Sequence, residues 1–306
     1  MDKYTEKKKK NQVLGKMIQS FVSETNLELI KTCSTFLMMV ADETMEKKKQ
    51  YKGNSCKNRF CPICAWKKAR KDALALAVQM DYIKQEHKKD FIFLTLTAPN
   101  VSAVALEGEI KLYNQAFQKL MQRKEVRAVT KGYVRKLEVT YNQDRDDYHP
   151  HFHVMIVVNK SYFRDTDYYI KRDRWLELWQ EVTDNPAITQ VDVRKLRQNG
   201  KKEIAEIAKY SVKDSDYLVS NEVFAIFYKA LKGKRLIVQS GLFKESMKLW
   251  KAGELDKYKE EDRTKYLYAL LYNWGLKEYV LVEQRELTKE ESKEMNDQFV
   301  NEKDID

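Results

Sequence analysis

Two alternating runs joined by a short polar link constrain this chain more than any other feature. GYVRKLEVTYN (Gly132–Asn142) sets Val134, Lys136, Glu138 and Thr140 on one face and Tyr133, Leu137, Val139 and Tyr141 on the other, the two-residue period of a strand. HPHFHVMIVV (His149–Val158) likewise sets His149, His151, His153 and Met155 against Phe152, Val154, Ile156 and Val158. The link NQDRDDY is short, which predicts that the two strands are antiparallel neighbours. A third strand, FIFLTLT (Phe91–Thr97), stops at Pro99 and Asn100, and the helix KLYNQAFQKLMQ lies between it and Gly132. The predicted fold class is α+β: a central antiparallel sheet with flanking helices, one sheet face apolar and the other polar and free for function.

Three of the four histidines fall within five residues. Imidazoles at alternate positions of a strand project from one face, so two of them can grip one cation, and Glu138 on the neighbouring strand can supply a third ligand. A mixed histidine and carboxylate set with open positions suits a divalent ion that polarises a phosphate oxygen. The competing reading is a surface histidine run, which the apolar alternation on the opposite face opposes. His87, in EHKKD, reads as an exposed surface residue.

KKEIAEIAKYSVKD (Lys201–Asp214) reads as a helix. Glu206, Lys209, Tyr210 and Lys213 share one face, with Ile204, Ile207, Ala208 and Ser211 roughly opposite. Tyr210 is the candidate nucleophile, with Glu206 one turn before it as a base toward water or the phenol. Lys209 and Lys213 are auxiliary candidates that help electrostatically. Tyr217 is the competing tyrosine.

Cys56, Cys61 and Cys64 form C-x4-C-x2-C in CKNRFCPIC, and Cys33 lies upstream. Four thiolates, two of them in a C-P-x-C knuckle, fit a closed structural zinc site, with three cysteines and His87 as a variant. WKKARK follows, so Lys67, Lys68, Arg70 and Lys71, with Arg59 nearby, are candidate DNA contacts on the start of a helix; a merely solvated face is the alternative. The run Lys7–Lys10 reads as a solvated disordered tail or a DNA-contacting arm.

A formal net charge of +11 favours a polyanion partner. With 43% hydrophobic residues the chain is globular, and no run is long and apolar enough for a membrane helix. No secretory signal is seen, and the expected location is the cytoplasm. Composition divides the chain into a basic, helical, zinc-binding amino-terminal region (1–88), a strand and helix domain (89–285) and an acidic, partly helical tail (286–306).

Together, FLTLTAPN (93–100), GYVRKLEVTYN, HPHFHVMIVV, the CKNRFCPICAWKKAR segment and the Glu206-x-x-x-Tyr210 spacing in EIAKYSVKDSDY resemble the replication initiator (Rep) proteins of small Gram-positive rolling-circle plasmids, within the HUH endonuclease superfamily. The resemblance spans roughly residues 30 to 285. It implies an HUH-type sheet and a single-tyrosine nickase that cuts one strand at the plasmid's double-strand origin, on single-stranded or hairpin DNA. Tyr210 would become linked to the 5′ phosphate, with strand transfer to follow, and Glu206 would activate water for the terminating cleavage. It further implies that His151 and His153 bind catalytic Mg or Mn, with Glu138 as third ligand and His149 outside the pair. A host helicase is a further partner on this reading. The alternatives are a related HUH relaxase or single-strand transposase, or a non-catalytic zinc-dependent DNA-binding regulator. Relaxases usually carry their tyrosine before the histidines, and the transposases lack a cysteine module.

Overall fold

The computed structural model describes residues 1–164, 167–196, 200–209 and 211–296. In chain order, α1 (Asp2–Met17), α2 (Glu24–Lys31), β1 (Phe36–Asp42) and β2 (Lys48–Gly53) lead into the long helix α3 (Pro62–Glu86). Next come β3 (Lys89–Leu96), α4 (Leu106–Gln122), α5 (Lys124–Val129), β4 (Gly132–Asn142) and β5 (Asp147–Asn159). They are followed by α6 (Arg172–Thr183), β6 (Val191–Lys195), α7 (Lys201–Ala208), α8 (Asp214–Tyr217), α9 (Asn221–Leu231), β7 (Ile237–Gly241) and α10 (Leu242–Ala252). Last are β8 (Tyr266–Trp274), β9 (Tyr279–Glu286) and α11 (Lys289–Met295).

Contacts group these elements into two compact units. One is Ala75–Leu255; the other joins Met1–Leu74 to the segment from Asp256 onward. Composition placed the cuts near residues 88 and 285 instead. The difference has a simple cause: β8 pairs with β1, across more than 200 residues of chain, and β9 pairs with β8.

The Ala75–Leu255 unit is built on a five-stranded sheet in the order β6-β3-β5-β4-β7, antiparallel throughout. The hairpin read from the alternation is present, with Glu138 opposite His151 and Lys136 opposite His153. On one face Phe152 meets Phe117 of α4 and Trp179 of α6. On the other, Phe91, Phe93, Val134, Met155 and Val157 pack with Leu76, Met80 and Ile83 of α3, Ile207 of α7 and Phe243 of α10. The expected division into one apolar and one polar face is therefore corrected. The histidine face is polar only over His149–His153, and beyond that it is core, because the MIVV run is buried on both sides.

The helix predicted over Lys201–Asp214 is also corrected: α7 ends at Ala208. Lys209 turns out of the helix with ψ at 175°, and the Ser211 carbonyl accepts from Val139 N at 2.8 Å. A strand partner for Ser211 is incompatible with continued helical bonding at that point.

In the other unit a four-stranded antiparallel sheet runs β2-β1-β8-β9. Met38, Val40, Tyr51, Tyr266, Ala269 and Met295 form a core cluster on it. The amino-terminal region is thus not simply helical, as its composition suggested. The Lys7–Lys10 run is corrected too: it lies inside α1, with Lys7 and Lys8 buried. Within the acidic stretch Lys289–Met295 forms α11, where Thr288 and Glu291 make a reciprocal capping box and Arg285 grips the Glu291 carboxylate at 2.8 and 2.9 Å; residues 297–306 lie outside the described residues.

Candidate active site

Register dictates the site. Glu138 on β4 and His151 on β5 are direct cross-strand partners, and His153 is the next residue on the same face. His153 Nε2 lies 3.1 Å from Glu138 Oε2 and 3.2 Å from His151 Nε2, and His151 Nε2 lies 3.7 Å from Glu138 Oε2. All three residues are buried.

Hydrogen bonding fixes how the rings face. His151 Nδ1 is 3.2 Å from the His149 carbonyl, which can only accept, so Nδ1 carries the proton and Nε2 holds a lone pair. His153 Nδ1 is 3.3 Å from Thr95 Oγ1, which can accept its proton and leave Nε2 free in turn. Two such nitrogens and a carboxylate oxygen with edges of 3.1, 3.2 and 3.7 Å define a circle of about 1.9 Å radius. That spacing suits three donors that would share one divalent ion at about 2.0–2.2 Å. The group can hold a divalent metal.

Electrostatics agree with the geometry. Burial pushes the Glu138 carboxyl up, but the His151 and His153 imidazoles beside it and the charge of Lys136 outweigh it and hold it well below the usual range. Burial lowers His153 and His149, and His151 nearby lowers both further. Glu138 is thus held as a carboxylate beside a His153 imidazole biased toward its neutral form, which is what a cation needs of such ligands.

Glu206 comes to this group from α7, its Oε2 being 3.7 Å from His153 Nε2. Lys209 bridges the two carboxylates, touching Glu206 Oε2 and standing 3.2 Å from Glu138 Oε1. Burial pulls its ammonium down, yet Glu206 and Glu138 outweigh this and raise it.

His149 stacks on His151 with ring centres 4.9 Å apart but stands outside the three-ligand group. Lys213 is exposed and acts electrostatically on Asp216. Tyr217 is 3% exposed and packs on Phe224, a core position. Tyr210 lies outside the described residues.

Sequence reasoning missed two groups. Lys136 is fully buried, and its Nζ donates to the Glu206 carbonyl at 3.2 Å, tying the end of α7 to β4. Arg194 on β6 pairs with buried Glu203 at 3.4 Å and lies over Phe93, which stacks on His153. The alternation had placed Lys136 beside Glu138, but an α7 packed over that face was not legible.

In the other unit, Cys33, Cys56, Cys61 and Cys64 converge, with sulfur separations of 3.5, 3.6 and 3.7 Å. A tetrahedron of zinc–sulfur bonds of about 2.3 Å has sulfur–sulfur edges of about 3.8 Å, so the cluster has the dimensions for a closed metal site. Cys61 immediately precedes α3, Pro62 starts it and Cys64 lies in its first turn. His87 takes no part; its Nε2 is 3.3 Å from the Tyr82 hydroxyl. Of the basic candidates on α3, Lys68 pairs with Asp72 at 2.8 Å, while Lys67 and Arg70 lie over the Tyr4 and Trp66 rings. Arg59, before the helix, is exposed, and Lys71 is partly so.

Comparison with known proteins gives the family. A model of the Replication protein family matches residues 47–280. A Protein rep of Staphylococcus aureus is 62% identical over 220 residues, 72% of this chain and 96% of the relative. A Protein rep of Streptococcus pneumoniae is 35% identical over 74% of this chain and 72% of its own. One from Bacillus amyloliquefaciens is 32% identical over 83% and 84%. No solved structure matches. With a family model spanning most of its length and relatives this similar, the chain belongs to the Replication protein family, the plasmid Rep initiators of Gram-positive bacteria.

Proposed function

We propose that this Rep protein initiates rolling-circle replication as a metal-dependent, site-specific DNA nickase of the HUH type. The observation that carries the reading is the Glu138, His151 and His153 group, with Glu206 3.7 Å from it. The residues flanking Tyr210 add support, since Lys209 contacts Glu138 and Ser211 hydrogen-bonds Val139 on the same strand.

A bound Mg or Mn would make the scissile phosphorus more electrophilic. His151, His153 and Glu138 would hold it, their rings oriented by the His149 carbonyl and by Thr95. The Tyr210 oxygen attacks phosphorus and the bond to the 3′ oxygen breaks. The phenolic proton ends on the released 3′ hydroxyl, and the 5′ phosphate stays on tyrosine. That 3′ end primes synthesis, and strand transfer follows. Glu206 then takes a proton from water for the terminating cleavage, with Lys209 and Lys136 holding it and its helix end in place.

On this reading the four cysteines hold structural zinc, and Arg59, Lys67, Lys68, Arg70 and Lys71 contact origin DNA. A cytoplasmic setting and a host helicase go with the same role. Among the described residues no helix is long and apolar enough to cross a membrane.

The test is an adduct assay on origin-like hairpin oligonucleotides with Mn or Mg. Wild type is expected to nick and become covalently attached, and Tyr210→Phe to do neither. Glu206→Ala should nick but fail to release by water. Cleavage with no adduct, or an adduct that survives Tyr210→Phe, would sink the assignment of the nucleophile.

A further inference from the structure

Helix α1 buries a stripe that is wrong for an ordinary core. Tyr4, Lys7, Lys8, Asn11, Leu14 and Gly15 follow one helical face, but its middle is polar. Lys8 is 1% exposed. Its Nζ lies 2.7 Å from the Cys33 carbonyl, 2.8 Å from the Lys31 carbonyl and 3.1 Å from Asn11 Oδ1. Three acceptors around one nitrogen use three N–H bonds, which an ammonium has and a neutral amine lacks. All three are neutral oxygens, and among the described residues no carboxylate pairs with Lys8.

An ammonium buried with no counter-charge is strongly destabilising. The groups that can supply the charge are the neighbouring sulfurs. Asn11, whose Oδ1 receives Lys8, donates its Nδ2 to Cys61 Sγ at 3.4 Å, and Cys56 N donates to Cys33 Sγ at 3.4 Å. Four neutral thiols would leave Lys8 uncompensated, and so would two disulfides. A dication held by four thiolates carries a net charge of minus two.

We infer that Lys8 and Asn11 belong to the four-cysteine site, Lys8 as its counter-charge and Asn11 as a donor to sulfur, and that docking of helix α1 therefore depends on the bound metal. The inference rests on the zinc reading proposed above. Without the dication nothing gathers the four sulfurs into a closed anionic group beside Lys8 and Asn11, and the polar middle of α1 loses the partner it is buried against.

The test uses the full chain and three readouts: zinc content, zinc release to a chromogenic chelator, and hydrogen exchange of the α1 amides. Zinc-loaded wild type should protect α1, and chelation should selectively raise its exchange. Lys8→Met and the isosteric Asn11→Asp should each weaken zinc retention about 10- to 100-fold. Lys9→Met, at an exposed position of the same helix, should match wild type. Wild type purified without zinc would overturn the four-thiolate reading itself. Zinc-loaded wild type whose α1 exchange ignores chelation, or Asn11→Asp that keeps zinc as tightly as wild type, would overturn this inference and leave that reading standing.

Discussion

Lys209→Met should make the active site bind its metal more tightly. The ammonium touches Glu206 and lies 3.2 Å from Glu138 Oε1, so a dication entering the Glu138, His151 and His153 group meets a positive charge at close range. A unit charge about 4 Å from a dication repels it by about 2 kcal/mol at a water-like dielectric. That screened value is the right one here, because the Lys209 side chain is 32% exposed and water reaches it. Removing the charge should lower the Kd for Mn about 10- to 30-fold. The same substitution leaves Glu138 and Glu206 facing each other without a cation, so the metal-free fold should lose about 1 kcal/mol. Calorimetric Mn titration measures the first effect, and urea unfolding in chelator the second. A Kd that stays the same or rises, in a variant that folds normally, would refute the reasoning and make Lys209 a support for the ligand set.

Other outcomes follow from the same groups. Because burial holds the ligand His153 below the ordinary imidazole value of 6.5, a proton should compete with metal at that nitrogen only under more acid conditions. Mn affinity followed over about pH 5 to 8 should therefore hold to below 6.5, and a midpoint above it would contradict the assignment. Phe93→Ala removes a ring 1% exposed that stacks on His153, and should cost about 3–5 kcal/mol in urea unfolding. Thr288→Ala breaks the capping box of α11 and should cost about 1 kcal/mol. Arg285 holds Glu291 down to about 2 from 4.5, so that contribution is complete above 4.5 and fades as pH falls toward 2. Glu291→Gln should flatten that part of the acid stability profile.

How far the chain could be read depended on where each pairing partner lay. β4 and β5 were legible because alternation and a short link fix both strands and register together, and this brought Glu138 and His151 face to face. β1 was not, since FLMMVAD is a continuous apolar run without alternation and its partner β8 is remote in sequence. The end of α7 was missed because nothing local stops that helix; the chain leaves it for a hydrogen bond from Val139. Lys136 misled for a similar reason. A lysine in an alternating strand suggests solvent, and only the packed helix above reveals a buried ammonium. Lys7 and Lys8 repeat the lesson on α1, whose polar stripe looks like a tail until the cysteines are seen beside it.

The pairing of β1 with β8 also sets an order of events during synthesis. Strands β1 and β2 leave the ribosome early, yet β1 must wait for β8 to be made before its second edge is covered. The Ala75–Leu255 unit, whose sheet draws only on its own strands, can close in the meantime. Translation that stops before Tyr266 would therefore yield a chain with the histidine site assembled and a two-stranded ribbon exposed. Such a product is a natural target for proteases and a seed for edge-to-edge aggregation.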